Sequence, residues 1–217
     1  MLTQAEYNIS VLLVDDHPSL RAGVRAIFEN TPDIYIVGEA EDSNEAKKLL
    51  HELRPKIILL DLKMPSFSPS AFERWARENY PETITLVLTA HDRDFYLAEM
   101  MDAGIAGYLS KTECGENLIA AIRRASSGES LFTHEQFIRA KRWRHDVGEK
   151  WEKLTERERE VLSLVEQGLS NKAIAKQLDV TLKTVAYHIS AIFDRLDVES
   201  RHEAIAWHQK HFPNDLE

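Results

Sequence analysis

Five short apolar runs recur through the first half of the chain, and each one stops at a polar residue. Ile9 to Val14 leads into two aspartates, and Ile57 to Leu60 leads into a third. Runs that are largely continuous in apolar residues, instead of alternating with polar ones, indicate strands buried on both faces of a parallel sheet. The other three candidates are Tyr35 to Ala40, Ile84 to Leu88, and Tyr108 with Leu109.

Helical segments separate these runs. Segments 19–29 and 44–53 each place their apolar residues on one face, and Ser43 is the expected N-cap of the second. Three more helical segments follow at 71–78, 95–102 and 116–127. Five strands in strict alternation with five helices predict an α/β doubly wound domain with a five-stranded parallel sheet.

The polar residues that end the runs form a candidate site, because such folds bind ligands beyond the carboxyl ends of their strands. Three carboxylates there would repel one another, and Mg²⁺ is the hard cation that carboxylate oxygens suit. Each residue alone could equally cap a helix, but five at strand ends favour a phosphoryl-transfer site. We predict Asp61 as the nucleophile, Asp15 and Asp16 as metal ligands, and Lys111 and Thr89 as phosphoryl contacts.

The segments around these residues resemble the signature segments of response-regulator receiver domains across residues 9–128. They read VLLVDDHPSLRAGV, ILLDLKMP, LVLTAHD and AGIAGYLSK. The resemblance implies a flavodoxin-like fold with Asp61 as phosphoacceptor, and with Thr89 and Lys111 against the phosphoryl group. It also implies that Asp16 ligates Mg²⁺ directly, that Asp15 supports it, that the Lys63 carbonyl completes the site, and that Tyr108 moves inward with Thr89 on activation.

The loop after the acceptor departs from the family. A turn containing Asp-Gly is usual there, whereas residues 66–70 read SFSPS. We expect this loop to alter partner choice or phosphoryl lifetime but not the acceptor.

Net charge, cysteine content and the lengths of the apolar runs limit the kinds of protein that this chain can be. The net charge of −9 divides into −7 for residues 1–128 and −2 for residues 129–217, so bulk charge gives no argument for DNA binding. The lone cysteine, Cys114, permits no internal disulfide and is expected to be unreactive. With no signal-peptide pattern and no long apolar run, we expect a cytoplasmic protein.

The last third of the chain is helical throughout. Thr155 and Glu158 form the pattern of a capping box, and Ser170 and Thr181 are the expected caps of the next two helices. Two helices joined by a tight turn are typical of a helix-turn-helix, whose second helix enters the major groove. Its predicted DNA contacts are Lys172 with Lys176 on the first helix, and Lys183, Thr184, Tyr187, His188 and Arg195 on the second.

The stretch from LTEREREVLSLV to ISAIFDRLDV resembles the LuxR-type output domain of NarL/FixJ response regulators, over about residues 153–212. We therefore expect a receiver at 1–128, a linker at 129–150 and an all-α domain of four helices at 151–217. Ala186 replaces a lysine that contacts DNA in the family, and Asp194 stands where a basic residue is common. Residues 151–217 carry a net charge of −3, so we expect weak intrinsic DNA affinity.

The resemblance implies that a sensor histidine kinase phosphorylates Asp61, which gates homodimerisation and sequence-specific binding to double-stranded DNA. Beyond catalysing its own phosphorylation and dephosphorylation, we expect no enzymatic activity. One alternative is a C-terminal domain that binds a protein and no DNA, which Ala186 and the acidic balance favour. A free-standing phosphatase is the other, but Lys63 stands two residues after Asp61 where that mechanism needs a second acid.

Overall fold

The apolar runs form one five-stranded sheet in the computed structural model, which describes residues 8–65, 67–113 and 115–212. Residues 1–7, Ser66, Cys114 and 213–217 lie outside the described residues. The unreactive cysteine, one residue of the altered loop and the ends of the first and last expected domains therefore stay predictions. The chain divides into two units, Met1–Ala140 and Lys141–Glu217.

The elements follow in the order that the sequence predicts. The strands are β1 (Ile9–Val14), β2 (Ile34–Ala40), β3 (Ile57–Leu60), β4 (Ile84–Thr89) and β5 (Gly107–Ser110). The helices between and after them are α1 (Pro18–Phe28), α2 (Ser43–Leu53), α3 (Pro69–Asn79), α4 (Asp94–Ala103), α5 (Glu116–Ser126) and α6 (His134–Trp143). The later helices are α7 (Glu149–Glu152), α8 (Glu156–Glu166), α9 (Asn171–Gln177), α10 (Leu182–Leu196) and α11 (Arg201–His211).

All strand pairs of the sheet are parallel, in the order β2-β1-β3-β4-β5. Every residue of β3 is fully buried, which is why its sequence is a continuous apolar run. The strand order reverses between β1 and β3, so the residues that follow these two strands meet at the crevice where such sheets bind ligands. The predicted doubly wound, flavodoxin-like architecture is confirmed.

One helix start differs from the prediction. Asp42, and not Ser43, is the N-cap of α2, and its carboxylate accepts hydrogen bonds from the backbone N–H groups of Asn44 and Glu45 at 2.7 and 2.9 Å. Aspartate and serine are comparable caps, so two adjacent candidates could not be separated from sequence. A carboxylate at a helix N-terminus also interacts favourably with the helix dipole.

The segment expected to be a linker, residues 129–150, contains helical structure, and the division between the units falls inside it. Its first part contacts the sheet domain: the backbone N–H of Leu131 donates to the carbonyl of Ala106 at 2.7 Å. On α6, Arg139 donates to Asp92 at 2.8 Å and to Asp94 at 2.7 Å. Residues 129–140 are therefore attached to the first unit.

The second unit contains the four predicted helices, α8 to α11. Thr155 and Glu158 form the capping box at the start of α8, and the side chains of Ser170 and Thr181 cap α9 and α10 as predicted. The four residues 178–181 join α9 to α10, and Asp179 among them has a positive φ of 53°. The apolar core of this unit includes Val161, Ile174, Val185, Ile192, Leu196 and Ala204.

Within the part of the chain that the structure describes, none of the helices is both long and apolar enough to cross a membrane.

Candidate functional site

A buried pocket of charge lies beyond the carboxyl ends of β1 and β3. Asp15 follows β1 and Asp61 follows β3, and they are only 1% and 3% exposed. Lys111, the first residue after β5, reaches both: its Nζ lies 2.8 Å from Asp15 Oδ2 and 2.9 Å from Asp61 Oδ2. The backbone N–H of Leu62 donates to the other Asp61 oxygen at 2.8 Å. Asp15, Asp61 and Lys111, which are 46 and 50 residues apart in sequence, therefore lie together at one site, where the sequence placed them.

Burial and pairing act against each other on these charges. Burial raises the pKa of Asp61 above its ordinary value, and the hydrogen bond from Lys111 partly opposes that rise. Burial also disfavours the ammonium of Lys111, but its hydrogen bonds to Asp15 and Asp61 more than compensate and raise its pKa. The lysine is therefore a fixed cation directly beside the Asp61 carboxylate.

Four side chains of the pocket offer atoms that could hold a cation. Ligand atoms of Asp15, Asp16, His17 and Asp61 all lie within 4.8 Å of one another. Asp16 Oδ1 is buried and has no hydrogen-bond partner among the described residues, although the His17 ring approaches it at 2.8 Å. Three carboxylates are the oxygen ligands that Mg²⁺ prefers, so the residues present fit this ion. Lys63 stands in the loop after β3, and its carbonyl role stays a prediction.

Thr89 and Tyr108 converge on one loop beside the pocket. Thr89 ends β4, is buried, and accepts a hydrogen bond at its Oγ1 from the backbone N–H of His91 at 3.0 Å. The Tyr108 hydroxyl donates to the backbone carbonyl of His91 at 2.8 Å. The tyrosine is already inward, at 4% exposure, and burial raises its pKa. The two predicted switch residues are therefore coupled through His91.

Sequence reasoning missed Arg21. This α1 residue is 7% exposed and donates to the backbone carbonyl of Asp15 at 2.6 Å. A signal was present, because Arg21 shares the buried face of α1 with Val24 and Phe28 at helical spacing. A charged residue is almost never buried without partners, so its place on that face predicts an ion pair.

In the second unit, the predicted DNA contacts divide into exposed and inward-facing residues. Lys172 and Lys176 on α9 and Lys183 on α10 are exposed, and Tyr187 is 69% exposed. Thr184 is half-buried, with its hydroxyl 2.8 Å from that of Thr181. The exposed part of α10 also includes Leu182, Ala186, Ser190 and Asp194.

Two of the predicted contacts depart from expectation. Arg195 is half-buried and forms an ion pair with Glu158, whose carboxylate also accepts from the backbone N–H of Thr155 at 2.8 Å. The sequence placed Arg195 on the exposed face, but its position on α10 faces α8, where a buried acid requires a cation. His188 is likewise half-buried, and its Nδ1 is buried without a hydrogen-bond partner among the described residues.

The comparisons with known proteins match both units. Residues 11–123 match the family described as response regulator receiver domain, and residues 152–208 match the bacterial regulatory proteins of the luxR family. The response regulator protein VraR of Staphylococcus aureus is 35% identical over 203 residues, which cover 94% of this chain and 97% of VraR.

Solved structures of RcsB are similar along nearly the whole chain. RcsB from Salmonella enterica serovar Typhimurium, bound to a promoter in the presence of a phosphomimetic, is 25% identical with a TM-score of 0.63 and covers 92% of this chain and 97% of its own. A structure of two RcsB dimers bound to two parallel DNAs is also 25% identical, with a TM-score of 0.58 and the same coverage.

Proposed function

The chain belongs to the response regulators that carry a LuxR-type output domain, as in the NarL/FixJ type, and we propose that phosphorylation of Asp61 controls its binding to DNA. It is thus a transcription-regulating response regulator with a receiver and a helix-turn-helix DNA-binding domain. We assign the receiver to residues 1–128, the linker to 129–150 and the DNA-binding domain to 151–217.

The single observation that carries the proposal is the bridge of Lys111 between Asp15 and Asp61. It supports the acceptor role of Asp61, since a fixed cation 2.9 Å from its carboxylate would stabilise the negative charge of a phosphoryl group there. A carboxylate oxygen of Asp61 attacks the phosphorus of a phosphohistidine on a sensor histidine kinase. An acyl phosphate forms, and the kinase's histidine nitrogen leaves.

Receiver domains bind Mg²⁺ at an acidic pocket of this kind. Here the carboxylates of Asp15, Asp16 and Asp61 and the carbonyl of Lys63 would hold the ion. When bound, it offsets the negative charge of the phosphoryl group. The residues of the chain do the rest: Lys111 pairs with a phosphoryl oxygen, and water later attacks the phosphorus and releases the Asp61 carboxylate.

Thr89 supplies the link to the rest of the domain. Its hydroxyl oxygen accepts from the backbone N–H of His91 at 3.0 Å, which leaves its own O–H free to donate to a phosphoryl oxygen; rotation of the side chain toward that oxygen would alter the contact with His91. Because the Tyr108 hydroxyl donates to the carbonyl of His91, movement of this loop changes the surroundings of Tyr108. The surface formed by α4 and β5 is therefore where the signal leaves the pocket.

The output step is DNA binding by a homodimer. The exposed contacts on α9 and α10, namely Lys172, Lys183 and Tyr187, would meet DNA first, with Thr184 and His188 beside them. Arg195 is left out because its guanidinium is engaged by Glu158. Two linked copies gain affinity through effective concentration, which compensates for few cationic contacts in each copy.

A second candidate is an output domain that binds a protein and no DNA. The specific observation in its favour is the exposed face of α10, where Ala186 and Asp194 are exposed and Lys183 is the one exposed cation among the described residues of that helix. DNA-binding surfaces are usually more basic than this.

Selection of bound duplexes from a random DNA pool separates the two candidates. The full chain is used with Mg²⁺ and beryllofluoride, a mimic of the phosphoryl group, and the variant Lys183→Ala with Tyr187→Ala serves as control. We expect a common half-site motif, repeated with two-fold symmetry, that the control variant does not select. A selected pool with no common motif would remove DNA as the target and leave the protein-binding alternative.

A further inference from the structure

A buried arginine lies directly behind the acidic pocket. The guanidinium of Arg21 donates to the Asp15 carbonyl at 2.6 Å and to Glu39 at 3.0 Å, and it also forms an ion pair with Glu41. Glu39 belongs to β2, and Glu41 follows that strand. The two glutamates neutralise the arginine, so its main effect on the pocket is exerted through the hydrogen bond to the carbonyl and not through net charge.

That hydrogen bond completes the fixation of Asp15. Its backbone N–H donates to the carbonyl of Ala40 at 3.0 Å, its Oδ1 accepts from the backbone N–H of His17 at 2.7 Å, and its Oδ2 accepts from Lys111 at 2.8 Å. The remaining polar atom is the carbonyl, which Arg21 holds. With all four groups engaged, the peptide plane between Asp15 and Asp16 is held in one orientation, and the Asp16 side chain extends from this fixed backbone.

Arg25 offers a natural contrast one helical turn away. Its Nε lies 3.0 Å from the other oxygen of Glu39, so both arginines attach α1 to β2. Arg25 is attached to β2 through its ion pair with Glu39. Its side chain is 54% exposed, whereas that of Arg21 is 9% exposed. Helix attachment is therefore common to both residues, whereas the bond to the Asp15 carbonyl belongs to Arg21.

We propose that Arg21 is a positioning residue for the cation site, because it holds the peptide between Asp15 and Asp16 so that the two carboxylates face Asp61. This inference rests on the proposed function only in that the pocket binds a divalent cation. Replacing a group that orients the ligands of a metal typically lowers metal affinity by about 10- to 100-fold.

The test measures Mn²⁺, a spectroscopically visible substitute for Mg²⁺, by the loss of its free-ion electron paramagnetic resonance signal on titration with the full chain. Arg21→Gln is expected to weaken Mn²⁺ binding about tenfold. Arg25→Gln, which removes a Glu39 ion pair of similar length, is expected to change it by less than about twofold. Circular dichroism and thermal melting establish that each variant is folded at the temperature of the titration.

The outcomes separate this inference from the proposed function. If the unaltered chain binds Mn²⁺ and folded Arg21→Gln binds it equally well, the positioning role is wrong while the cation site stands. Equal weakening by Arg25→Gln would also overturn the role, since helix attachment alone would then explain it. If the unaltered chain binds no Mn²⁺, both the cation site and the role of Arg21 fall.

Arg21→Lys keeps the test decisive should the glutamine variant not fold. A single ammonium cannot span the Asp15 carbonyl and both glutamates as the forked guanidinium does. We expect folded Arg21→Lys to bind Mn²⁺ about threefold more weakly than the unaltered chain. Unchanged affinity in this variant would contradict the proposal.

Discussion

The acidic pocket of the first unit and the exposed face of α10 in the second unit differ in burial: the pocket residues are buried and paired, whereas the helix face is open to solvent. Asp15, Asp61 and Thr89 are at most 3% exposed, and each has an ion-pair or hydrogen-bond partner within the fold. On α10, Tyr187 is 69% exposed and Leu182 is 54% exposed. Contacts within the protein thus hold the side chains of the pocket in place. On the face of α10, binding to a partner depends on which side chains are exposed.

This difference governs how each region responds to change. Removing one member of a buried charge network leaves another charge without its partner in a poorly solvating environment, so effects are large and not additive. Exposed residues lose one contact at a time, and their effects are small and nearly independent.

Replacement of the acceptor should remove phosphorylation altogether. Asp61→Asn lacks the carboxylate nucleophile, so incubation with acetyl phosphate and Mg²⁺ should add no phosphoryl mass to the chain. Asp33→Asn is the matched control. Asp33 is not part of the pocket and pairs with Arg123 at 2.7 Å, so this substitution should leave labelling unchanged. A phosphoryl group that persists in the Asp61→Asn variant would identify a different acceptor.

A buried acid outside the pocket should make stability depend on pH. Glu73 on α3 is 1% exposed, and burial raises its pKa to about 7, although a hydrogen bond with Thr85 opposes the rise. When the pKa of an acid is higher in the folded than in the unfolded state, the folded state becomes less stable as pH rises between the two pKa values, here from 4.5 to about 7. The corresponding decline is about 3 kcal/mol in the free energy of unfolding.

Urea denaturation at about pH 5 and about pH 8 measures this decline. Glu73→Gln cannot ionise, so it should be more stable than the unaltered chain at the higher pH by about 3 kcal/mol and similar at the lower pH. Glu78→Gln, an exposed change on the same helix, should keep the decline. The same pH dependence in Glu73→Gln as in the unaltered chain would show that Glu73 is not responsible.

On α10, a restored cation should strengthen DNA binding through one added phosphate contact. Ala186→Lys should raise affinity for a selected duplex by about tenfold at low salt and steepen the slope of log affinity against log salt by about 0.9. Fluorescence anisotropy of the full chain over a salt series gives both values. Ser163→Lys adds the same charge on α8, where Ser163 is exposed, and should change the slope little. Equal slopes for both variants would place the DNA elsewhere than on α10.

The smallest effect is expected where α6 joins the first unit. Arg139→Gln removes the charged contacts to Asp92 and Asp94, so amides of residues 134–140 should exchange with solvent about fivefold faster. Arg124→Gln, which removes the exposed pair with Glu129, is the control and should leave these amides unchanged. Unchanged exchange in Arg139→Gln would mean that these contacts do not hold the segment.

The sequence was most informative where one pattern determines several residues together. Strand ends are marked by a change from apolar to polar residues, and the parallel sheet brings those ends to one edge, so Asp15, Asp61 and Lys111 could be placed together. Helix caps at Thr155, Ser170 and Thr181 were equally predictable, because a cap depends on residues three positions apart.

The charged partners of Arg21 and Arg195 were not predictable, in contrast to those of Lys111 at the strand ends. Arg195 meets Glu158 only because α10 packs against α8, and the Arg21 network requires α1, β1 and β2 to be assembled first. Helical spacing states which face a residue occupies, but it does not state which charge another element presents to that face. The sequence therefore placed Arg195 on the surface and left Arg21 without a role.

We propose that the state of Asp61 controls DNA binding by the second unit, and a DNA titration measures this control. A duplex carrying the selected motif is titrated with the full chain, with and without Mg²⁺ and beryllofluoride, and the series is repeated with Asp61→Asn. We predict that beryllofluoride raises the affinity of the unaltered chain about tenfold or more and leaves that of Asp61→Asn unchanged. Equal affinity in both conditions, or an equal rise in Asp61→Asn, would mean that Asp61 does not control DNA binding.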